Sequence, residues 1–362
     1  MSEVDYREII GVVESTLIGQ PRVIDQLTRS LKIAQAGLRG VDKPLAILML
    51  AGPTGVGKSE TARALALAIQ GNPDLLCRVD CNLLNAPHST SSLTGSPPGY
   101  VGSDTGNTIL VKKIIEGSKG KPGILVFEEI EKADPAVWDV LLGIFDKAIL
   151  HMNNGKGVIS FANTIILLTS NVGARDLGAA VSGSKIGFSV PTPPTNERRQ
   201  LPGDQRRRIV LEEMGRVFRP EFIGRIDDVV IFRWLDRPEL ELIAWKFVNE
   251  LGTKIEDLGH RLVVSPAAIR FLVEKGYDLK SGARHLSRAI RRYVEDPLAE
   301  AIVDGLPYEA CSIYVRVDPG GGKLVFRYKE RIVVRPVPKP GPAKPPPKPG
   351  TDMVFKPAGP KG

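Results

Sequence analysis

Residues 45–60 read LAILMLAGPTGVGKSE, an apolar run that passes directly into a glycine-rich turn. The turn matches the pattern G-x-x-x-x-G-K-[S/T], whose backbone N–H groups wrap around phosphates. Residues 60–69, which follow, have the spacing of a helix. Bound phosphates would therefore lie at a helix N-terminus, where the helix dipole favours anions. The sequence predicts a phosphate-binding loop between a buried strand and a helix.

Each part of this loop has an expected role toward a nucleoside triphosphate with Mg²⁺. Lys58 would reach the terminal phosphates, and the Ser59 hydroxyl would bind Mg²⁺. The alternative, a glycine turn with a purely structural role, is disfavoured by the strand before the loop and the helix after it. The residues predicted to contact the nucleotide here are Gly52, Pro53, Thr54, Gly55, Val56, Gly57, Lys58, Ser59 and Glu60.

Two further apolar runs end in polar side chains suited to the same site. Residues 124–129 read ILVFEE and end in Glu128 and Glu129, where a metal-organising acid and a water-activating base are expected. Residues 164–171 read TIILLTSN, and Asn171 would place a side-chain amide beside the terminal phosphate. Taken alone, Asn171 would be interpreted as a helix cap or turn residue.

Short apolar runs alternate with helical patterns, and this alternation predicts a parallel sheet. Strands that are apolar throughout are buried on both faces, as happens when helices cover a parallel sheet. We therefore expect an α/β domain with about five parallel strands, followed by a smaller, mostly helical domain with a short β pair. The predicted strands are residues 45–50, 76–79, 124–127, 164–169 and 229–232, and the β pair is 312–317 with 323–328.

Four segments are predicted along the 362 residues. Residues 1–40 have the spacing of a short helix, a turn and a second helix. Residues 41–235 form the α/β domain, and residues 236–330 form the helical domain. Residues 331–362 form a tail whose ten prolines and five lysines leave almost nothing apolar to bury, so we expect disordered, solvated chain there.

Charge and cysteine content restrict the partner and the compartment. The net charge is +8, but residues 336–362 hold five lysines and one acid, a net +4, so the rest of the chain carries only +4. This distribution disfavours a nucleic-acid partner. Three cysteines without C-x-x-C spacing disfavour a disulfide framework or zinc site. An acidic start disfavours a secretory signal, and the apolar run 45–51 is too short to span a bilayer, so we expect a cytoplasmic protein that does not enter a membrane.

In this order, the motifs resemble those of the Clp family of AAA+ unfoldases, specifically the second ATPase module of ClpC, ClpA and ClpB. The resemblance runs from Ile18 to about Phe326, and Ile18-Gly19-Gln20 is similar to the family segment that lies over the adenine. It implies an AAA+ fold with a helical lid, ATP and Mg²⁺ as cofactors, and hydrolysis of ATP to ADP and phosphate. It also implies a homo-hexameric ring that acts on polypeptide substrates.

The resemblance implies a substrate-gripping loop as well. Residues 95–102 read GSPPGYVG and resemble the family's pore loop, whose aromatic side chain grips a threaded polypeptide. The alternative for Tyr100 is an ordinary aromatic residue in a turn. The implied pore-loop residues are Gly99, Tyr100, Val101 and Gly102.

Three further catalytic roles follow from the same resemblance. Asn171 matches the family's first sensor, and Arg284 matches the second sensor, which reaches the γ-phosphate from the lid. Arg225 matches the arginine finger, which acts on the nucleotide of a neighbouring subunit. Because such an arginine contributes about 10³–10⁵ in rate, hydrolysis would require a ring. The implied catalytic residues are Glu128, Glu129, Asn171, Arg225 and Arg284, with Ser59 and Glu128 at the metal.

The chain departs from the family pattern at three places. Glu128 stands where the family has Asp, and the extra methylene moves the carboxylate by about 1.5 Å, a displacement that can cost about 10² in rate. Gly224 stands where the family has Asn before the arginine finger, and residues 147–150, KAIL, lack the usual Gly-Arg-Leu. We therefore expect nucleotide binding with slower turnover and altered control between subunits.

A long, proline-containing stretch at residues 182–204 lies between the first sensor and the arginine finger. Long loops inside compact domains are uncommon and often functional. It contains Ile186, Gly187 and Phe188, at the position where peptidase-binding members of the family carry a similar tripeptide. These residues predict docking to a ClpP-type peptidase, and the alternative is that they anchor the loop to its own domain.

Three functions are compatible with these patterns. The leading hypothesis is an ATP-dependent unfoldase that threads polypeptides past Tyr100 and could feed a ClpP-type peptidase. The second is a slow ATPase switch or scaffold, favoured by Glu128, whose nucleotide state controls assembly and partner binding. A nucleic-acid motor comes third and would require salt-sensitive DNA binding.

Overall fold

The computed structural model describes residues 6–330 except 38, 41, 96–107, 154, 156, 175–176, 178–201 and 278–281. The chain begins with the helices Tyr6–Thr16 and Pro21–Gln35, which confirms the predicted helix, turn and second helix. Proline in the first turn of the second helix is favourable because the missing N–H would have no partner there. None of the helices in these described ranges is long and apolar enough to cross a membrane.

Five parallel strands form the central sheet, as the sequence predicts. Their order is β2-β3-β6-β1-β7, and every neighbouring pair is parallel. Each predicted strand agrees with an observed one to within one residue at either end. The strands are β1 Ala46–Ala51, β2 Cys77–Asp80, β3 Gly123–Glu128, β6 Thr164–Ser170 and β7 Asp228–Ile231.

Both faces of this sheet are covered by helices, so β1 is buried along its whole length. Successive side chains of a strand point to opposite faces. Met49 accordingly packs in one hydrophobic cluster and Leu48 and Leu50 in the other. The Leu48 side holds the two N-terminal helices and the helix Lys58–Gln70, and the Met49 side holds the helix Pro135–Lys147.

Shorter elements complete the α/β domain, including a hairpin that the sequence analysis did not predict. In the hairpin, β4 Ile149–His151 pairs antiparallel with β5 Val158–Ser160. Three-residue strands carry too few residues for periodicity to detect. The remaining helices are Cys81–Leu84, Pro87–Thr90, Ser91–Thr94, Lys112–Glu116, Ile130–Lys132, Gly203–Val217 and Pro220–Ile223.

The second domain is mostly helical, as predicted, and has its own hydrophobic core. Its first helix begins with a capping box, in which Asp236 and Glu239 satisfy each other's backbone N–H groups. A single π-helical turn, Arg291–Glu295, joins its last two helices. The helices are Arg237–Asp257, Pro266–Gly276, Ala283–Ile290 and Asp296–Asp304.

The predicted β pair of this domain is part of a three-stranded sheet, so the prediction was incomplete. The pair itself is β9 Cys311–Val317 with β10 Leu324–Glu330. The additional strand, β8 Arg261–Val264, lies parallel to β9 on its other side. It has four residues of which only Val264 is buried, so its sequence lacks the alternation that signals a strand.

Candidate nucleotide site

The phosphate loop connects β1 to the helix that begins at Lys58. Its turn requires glycine, because Gly52, Gly55 and Gly57 all have positive φ angles, of 146°, 70° and 108°. Space is restrictive too: a Cβ on Gly57 would lie 2.7 Å from the Leu17 side chain. The loop backbone is therefore held close to the N-terminal helices and can approach a ligand without side chains in the way.

Lys58 is buried and already hydrogen-bonded. Its ammonium donates to the carbonyl oxygens of Gly52 and Pro53, at 2.5 and 2.7 Å, and to Oδ1 of Asn171 at 2.9 Å. Burial lowers the pKa of Lys58 to about 8, an effect opposed by the negative charge of Glu131 and reinforced by the positive charge of Arg284. A phosphate would therefore meet a lysine that is held in place and still carries its charge below about pH 8.

Glu128 reaches the phosphate-loop hydroxyl despite replacing the expected Asp. The Ser59 hydroxyl donates to Oε1 of Glu128 at 2.7 Å. Mg²⁺ in nucleotide sites is usually held by one or two protein groups together with phosphate oxygens. The Ser59 hydroxyl, at the start of a helix, and the Glu128 carboxylate, at the C-terminal end of β3, are groups of this kind. The residues present therefore fit Mg²⁺.

Glu129 is held in a conformation that non-glycine residues rarely adopt. Its φ of 54° and ψ of 52° are left-handed, which costs about 1–2 kcal/mol. The strain is maintained by a hydrogen bond from its N–H to the Thr169 hydroxyl, at 3.1 Å. Its carboxylate accepts from the side-chain amides of Asn171, at 3.3 Å, and Asn82, at 3.4 Å. Strain of this kind is common where a side chain must be aimed into an active site.

Asn171 links the parts of the site. Its amide accepts from Lys58 and donates to Glu129, so it lies between the predicted phosphate-binding and water-activating groups. Its backbone N–H donates to Glu131 at 2.9 Å. The other oxygen of Glu131 is buried and, within the described residues, has no hydrogen-bond partner.

The helical domain contacts the phosphate loop and lines one side of the cleft. The backbone N–H of Ala283 donates to the carbonyl of Gly55 at 2.9 Å, so the two domains touch at the phosphate loop itself. Arg284 lines the cleft. Lys246 forms an ion pair with Glu60 at 2.7 Å. The resulting cleft has a volume of about 510 Å³, which is within the range typical of small-molecule sites.

Five predicted site residues do not line this cleft in the described part of the chain: Ile18, Gly52, Pro53, Val56 and Arg225. Gly52 and Pro53 contact Lys58 through their carbonyl oxygens, and Val56 is buried in the core. Ile18 is half-buried and packs against the core of the helical domain. Arg225 is nearly half exposed and pairs with Asp146, its Nε lying 3.0 Å from the carboxylate. The pore-loop residues Gly99, Tyr100, Val101 and Gly102 and the tripeptide Ile186, Gly187 and Phe188 lie outside the described residues.

The sequence analysis missed other cleft residues. Arg78, Asp80 and Asn82 line the cleft from β2 and the turn after it, and Glu131 contacts the backbone of Asn171. The predicted topology did contain a signal for Arg78, Asp80 and Asn82. Ligands of open parallel sheets bind outside the carboxyl ends of the strands, and β2 ends at the same edge as β3 and β6.

Comparison with known proteins identifies the two domains. Residues 43–229 match the family described as "AAA domain (Cdc48 subfamily)". Residues 235–315 match the "C-terminal, D2-small domain, of ClpB protein". The first match covers most of the α/β domain and the second covers most of the helical domain.

Individual relatives agree with this. The chain is 35% identical to an "ATP-dependent protease ATP-binding subunit-like protein AmiB" of Pseudomonas aeruginosa, over 83% of this chain and 80% of the relative. It is 37% identical to the "ATP-dependent Clp protease ATP-binding subunit ClpC" of Staphylococcus aureus strain USA300, over 91% of this chain and 39% of the relative. The chain thus spans about two fifths of ClpC. It belongs to the Clp family of AAA+ ATPases, with the AAA domain followed by the small domain of the family's C-terminal module.

Proposed function

We propose that the chain is an ATP-dependent protein unfoldase that acts as a homo-hexameric ring and threads polypeptides through its centre. The main support is one cleft that holds Lys58, Glu129, Asn171 and Arg284 together, while Arg225 lies elsewhere on the surface. An arginine finger placed outside its own nucleotide cleft can serve only the cleft of another subunit. The relatives' names connect them to ATP-dependent proteases.

The cleft residues divide the hydrolysis between them. Lys58 would exchange its carbonyl partners for the terminal phosphates, and Ser59 and Glu128 would hold Mg²⁺, which supplies positive charge to the phosphate oxygens when bound. Glu129 would take a proton from the water that attacks the γ-phosphorus. The bond from the γ-phosphorus to the bridging oxygen breaks, and ADP and phosphate leave.

Arg225 and Tyr100 would convert hydrolysis into work. Arg225 would stabilise charge in the transition state at the neighbouring subunit, which couples turnover to ring assembly. Tyr100 would grip the threaded polypeptide. A cytoplasmic location, like the grip of Tyr100, stays a prediction from the sequence.

Threading is tested by Tyr100→Ala in an unfolding assay with a tagged, stably folded substrate. We expect loss of unfolding while ATP hydrolysis persists. Tyr308→Ala is a control, because Tyr308 is an exposed tyrosine of the helical domain. Unfolding at the wild-type rate by the Tyr100→Ala protein would exclude threading past this residue.

A slow nucleotide-controlled switch is the second candidate, favoured by Glu128 in place of the expected Asp. Turnover by wild type, Glu128→Asp and Glu129→Gln separates the two functions. Brisk wild-type hydrolysis that Glu129→Gln abolishes excludes the switch. Wild-type turnover that is slow and rises in Glu128→Asp supports it.

Delivery of substrates to a ClpP-type peptidase would use Ile186, Gly187 and Phe188, because isoleucine and phenylalanine side chains can fill an apolar pocket of a partner. The Glu129→Gln form, locked with ATP, should retain a ClpP-type peptidase on an affinity column. Replacing the three residues by serine should abolish that retention. Retention that survives the replacement would place the peptidase contact elsewhere.

A further inference from the structure

One ion pair in the nucleotide cleft has no role in the function proposed above. Nη2 of Arg78 lies 3.0 Å from Oε1 of Glu128, the same oxygen that accepts from the Ser59 hydroxyl. Two donors from different elements, β2 and the phosphate-loop helix, therefore converge on one carboxylate oxygen. The other carboxylate oxygen is used by neither bond.

Strand register explains why Arg78 can make this contact. Asp80 lies directly opposite Glu128 in the parallel pair β2–β3, and Arg78 lies opposite Val126. Arg78 and Glu128 are thus diagonal neighbours, a separation that long side chains can bridge. An Asp at position 128 would end about 1.5 Å short of the present carboxylate. The contact therefore depends on the longer acid.

The exposure of the pair argues against a role in stability. The Arg78 side chain is 52% exposed and that of Glu128 is 22% exposed, and exposed ion pairs contribute little to the free energy of unfolding. A glutamate has one more rotatable bond than an aspartate, so its carboxylate can occupy more positions. The guanidinium bonded to one carboxylate oxygen restricts that freedom.

We propose that Arg78 is a positioning residue for Mg²⁺: it holds the carboxylate of Glu128 beside Ser59 and so compensates for the extra methylene. This inference rests on the proposed nucleotide site. Loss of Arg78 should weaken Mg²⁺ binding by a larger factor than metal-free nucleotide binding, which loses only the charge of one cleft-lining cation. A merely structural role would not separate these two quantities.

The test is a Mg²⁺ titration of fluorescent ATP analogue binding to the full chain. Arg78→Ala should raise the half-saturating Mg²⁺ concentration by about tenfold, the low end for groups that orient a metal ligand, with a smaller loss of nucleotide affinity in EDTA. Arg78→Lys should restore part of the loss. Arg63→Ala is the matched control, since Arg63 is similarly exposed and pairs with Asp74 at 3.3 Å but does not line the cleft.

Glu128→Asp supplies the decisive comparison. With the shorter acid out of reach the contact is already gone, so adding Arg78→Ala should change the half-saturating Mg²⁺ concentration by less than about twofold. The two substitutions should therefore be non-additive, as expected for residues that touch in the wild type. Equal effects of Arg78→Ala in both backgrounds, or an Arg78→Ala protein indistinguishable from Arg63→Ala, would overturn the inference. A wild-type protein that binds nucleotide independently of Mg²⁺ would overturn this inference but not the nucleotide site. A wild-type protein that binds no nucleotide would overturn the nucleotide site as well.

Discussion

At the scale of single residues, Lys58 is the cleft residue most clearly suited to bind phosphate. Lys58 is buried against two carbonyl oxygens and Asn171, and its pKa is lowered to about 8 from 10.5. The unfolded chain therefore holds this proton more tightly than the unliganded protein. Consequently the contribution of Lys58 to the free energy of unfolding increases as pH rises from 8 toward 10.5.

The same lowered pKa predicts a pH dependence of nucleotide binding. Phosphates favour charged Lys58, so binding above pH 8 must take up a proton. Affinity for ATP should be flat below about pH 8 and fall by up to about tenfold per pH unit above it. Binding isotherms between pH 7 and 9.5 measure this.

Lys58→Arg is the control for that experiment, because a guanidinium keeps its charge throughout the range. The Lys58→Arg protein should bind ATP more weakly than the wild type, because the buried site fits an ammonium. Its affinity for ATP should be independent of pH. An equal slope in both proteins would assign the titration to another group.

The sequence predicts some of these residues and not others, for a physical reason. Lys58 and Ser59 belong to the phosphate-loop motif after β1, and Glu129 and Asn171 follow apolar strands directly. The position of all four at the sheet edge can therefore be inferred from the chain alone. Arg78 contacts Glu128 only through the register of β2 and β3, which a single sequence does not reveal.

At the scale of secondary-structure elements, two backbone features deserve tests of their own. The helix Pro135–Lys147 ends at Ala148, whose φ of 49° is left-handed. Glycine is the usual residue at such a helix end, and here the segment also lacks the Gly-Arg-Leu that the family resemblance leads one to expect. Ala148 thus carries strain that glycine would not.

Glycine substitutions at two buried alanines should separate this strain from packing. Both Ala148→Gly and Ala66→Gly remove a buried methyl, worth about 0.8 kcal/mol. Ala66→Gly should lose about 1 kcal/mol more, because Ala66 lies inside a helix. At Ala148, the relief of about 1–2 kcal/mol of backbone strain should offset the free energy lost with the buried methyl. Denaturant titration measures the free energy of unfolding of both variants. Equal losses of this free energy in Ala148→Gly and Ala66→Gly would contradict the left-handed geometry of Ala148.

The contact between the helical domain and the phosphate loop is the second feature. Gly282 has a φ of 52°, and a Cβ there would lie 2.6 Å from the Gly55 carbonyl oxygen. Gly282→Ala should therefore push the domain carrying Arg284 away from the loop and lower nucleotide affinity by about tenfold or more, the effect of a displacement near 1 Å.

Gly252→Ala controls for the change of residue type. Gly252 lies within the helix Arg237–Asp257 with nothing near its Cβ position, so alanine should stabilise the helix by about 1 kcal/mol and leave affinity unchanged. Wild-type affinity in Gly282→Ala would mean that the contact is not needed for binding.

Prediction at this scale succeeded where strands are buried on both faces and failed where they are short. The central strands are continuous apolar runs, so their bounds agree with the structure to within one residue. β8 buries only one of its four residues, and β4 and β5 have three residues each. These strands form because neighbouring chain supplies partners, a cause that lies outside their own sequence.

At the scale of the whole molecule, the separation of Arg225 from the cleft is the central observation. It pairs with Asp146 at 3.0 Å on the surface of its own domain, whereas Arg284 lines the cleft. Gly224, where the resemblance implies Asn, has an ordinary helical φ of −65°. The backbone conformation therefore does not require glycine at position 224.

Steady-state ATP hydrolysis across a range of protein concentrations measures whether neighbouring subunits complete the site. Wild-type turnover per subunit should rise with concentration as rings assemble. Arg225→Ala should lose about 10³-fold or more in turnover at every concentration while nucleotide affinity is retained. Wild-type turnover that is independent of concentration, together with full activity of Arg225→Ala, would contradict a motor built from neighbouring subunits.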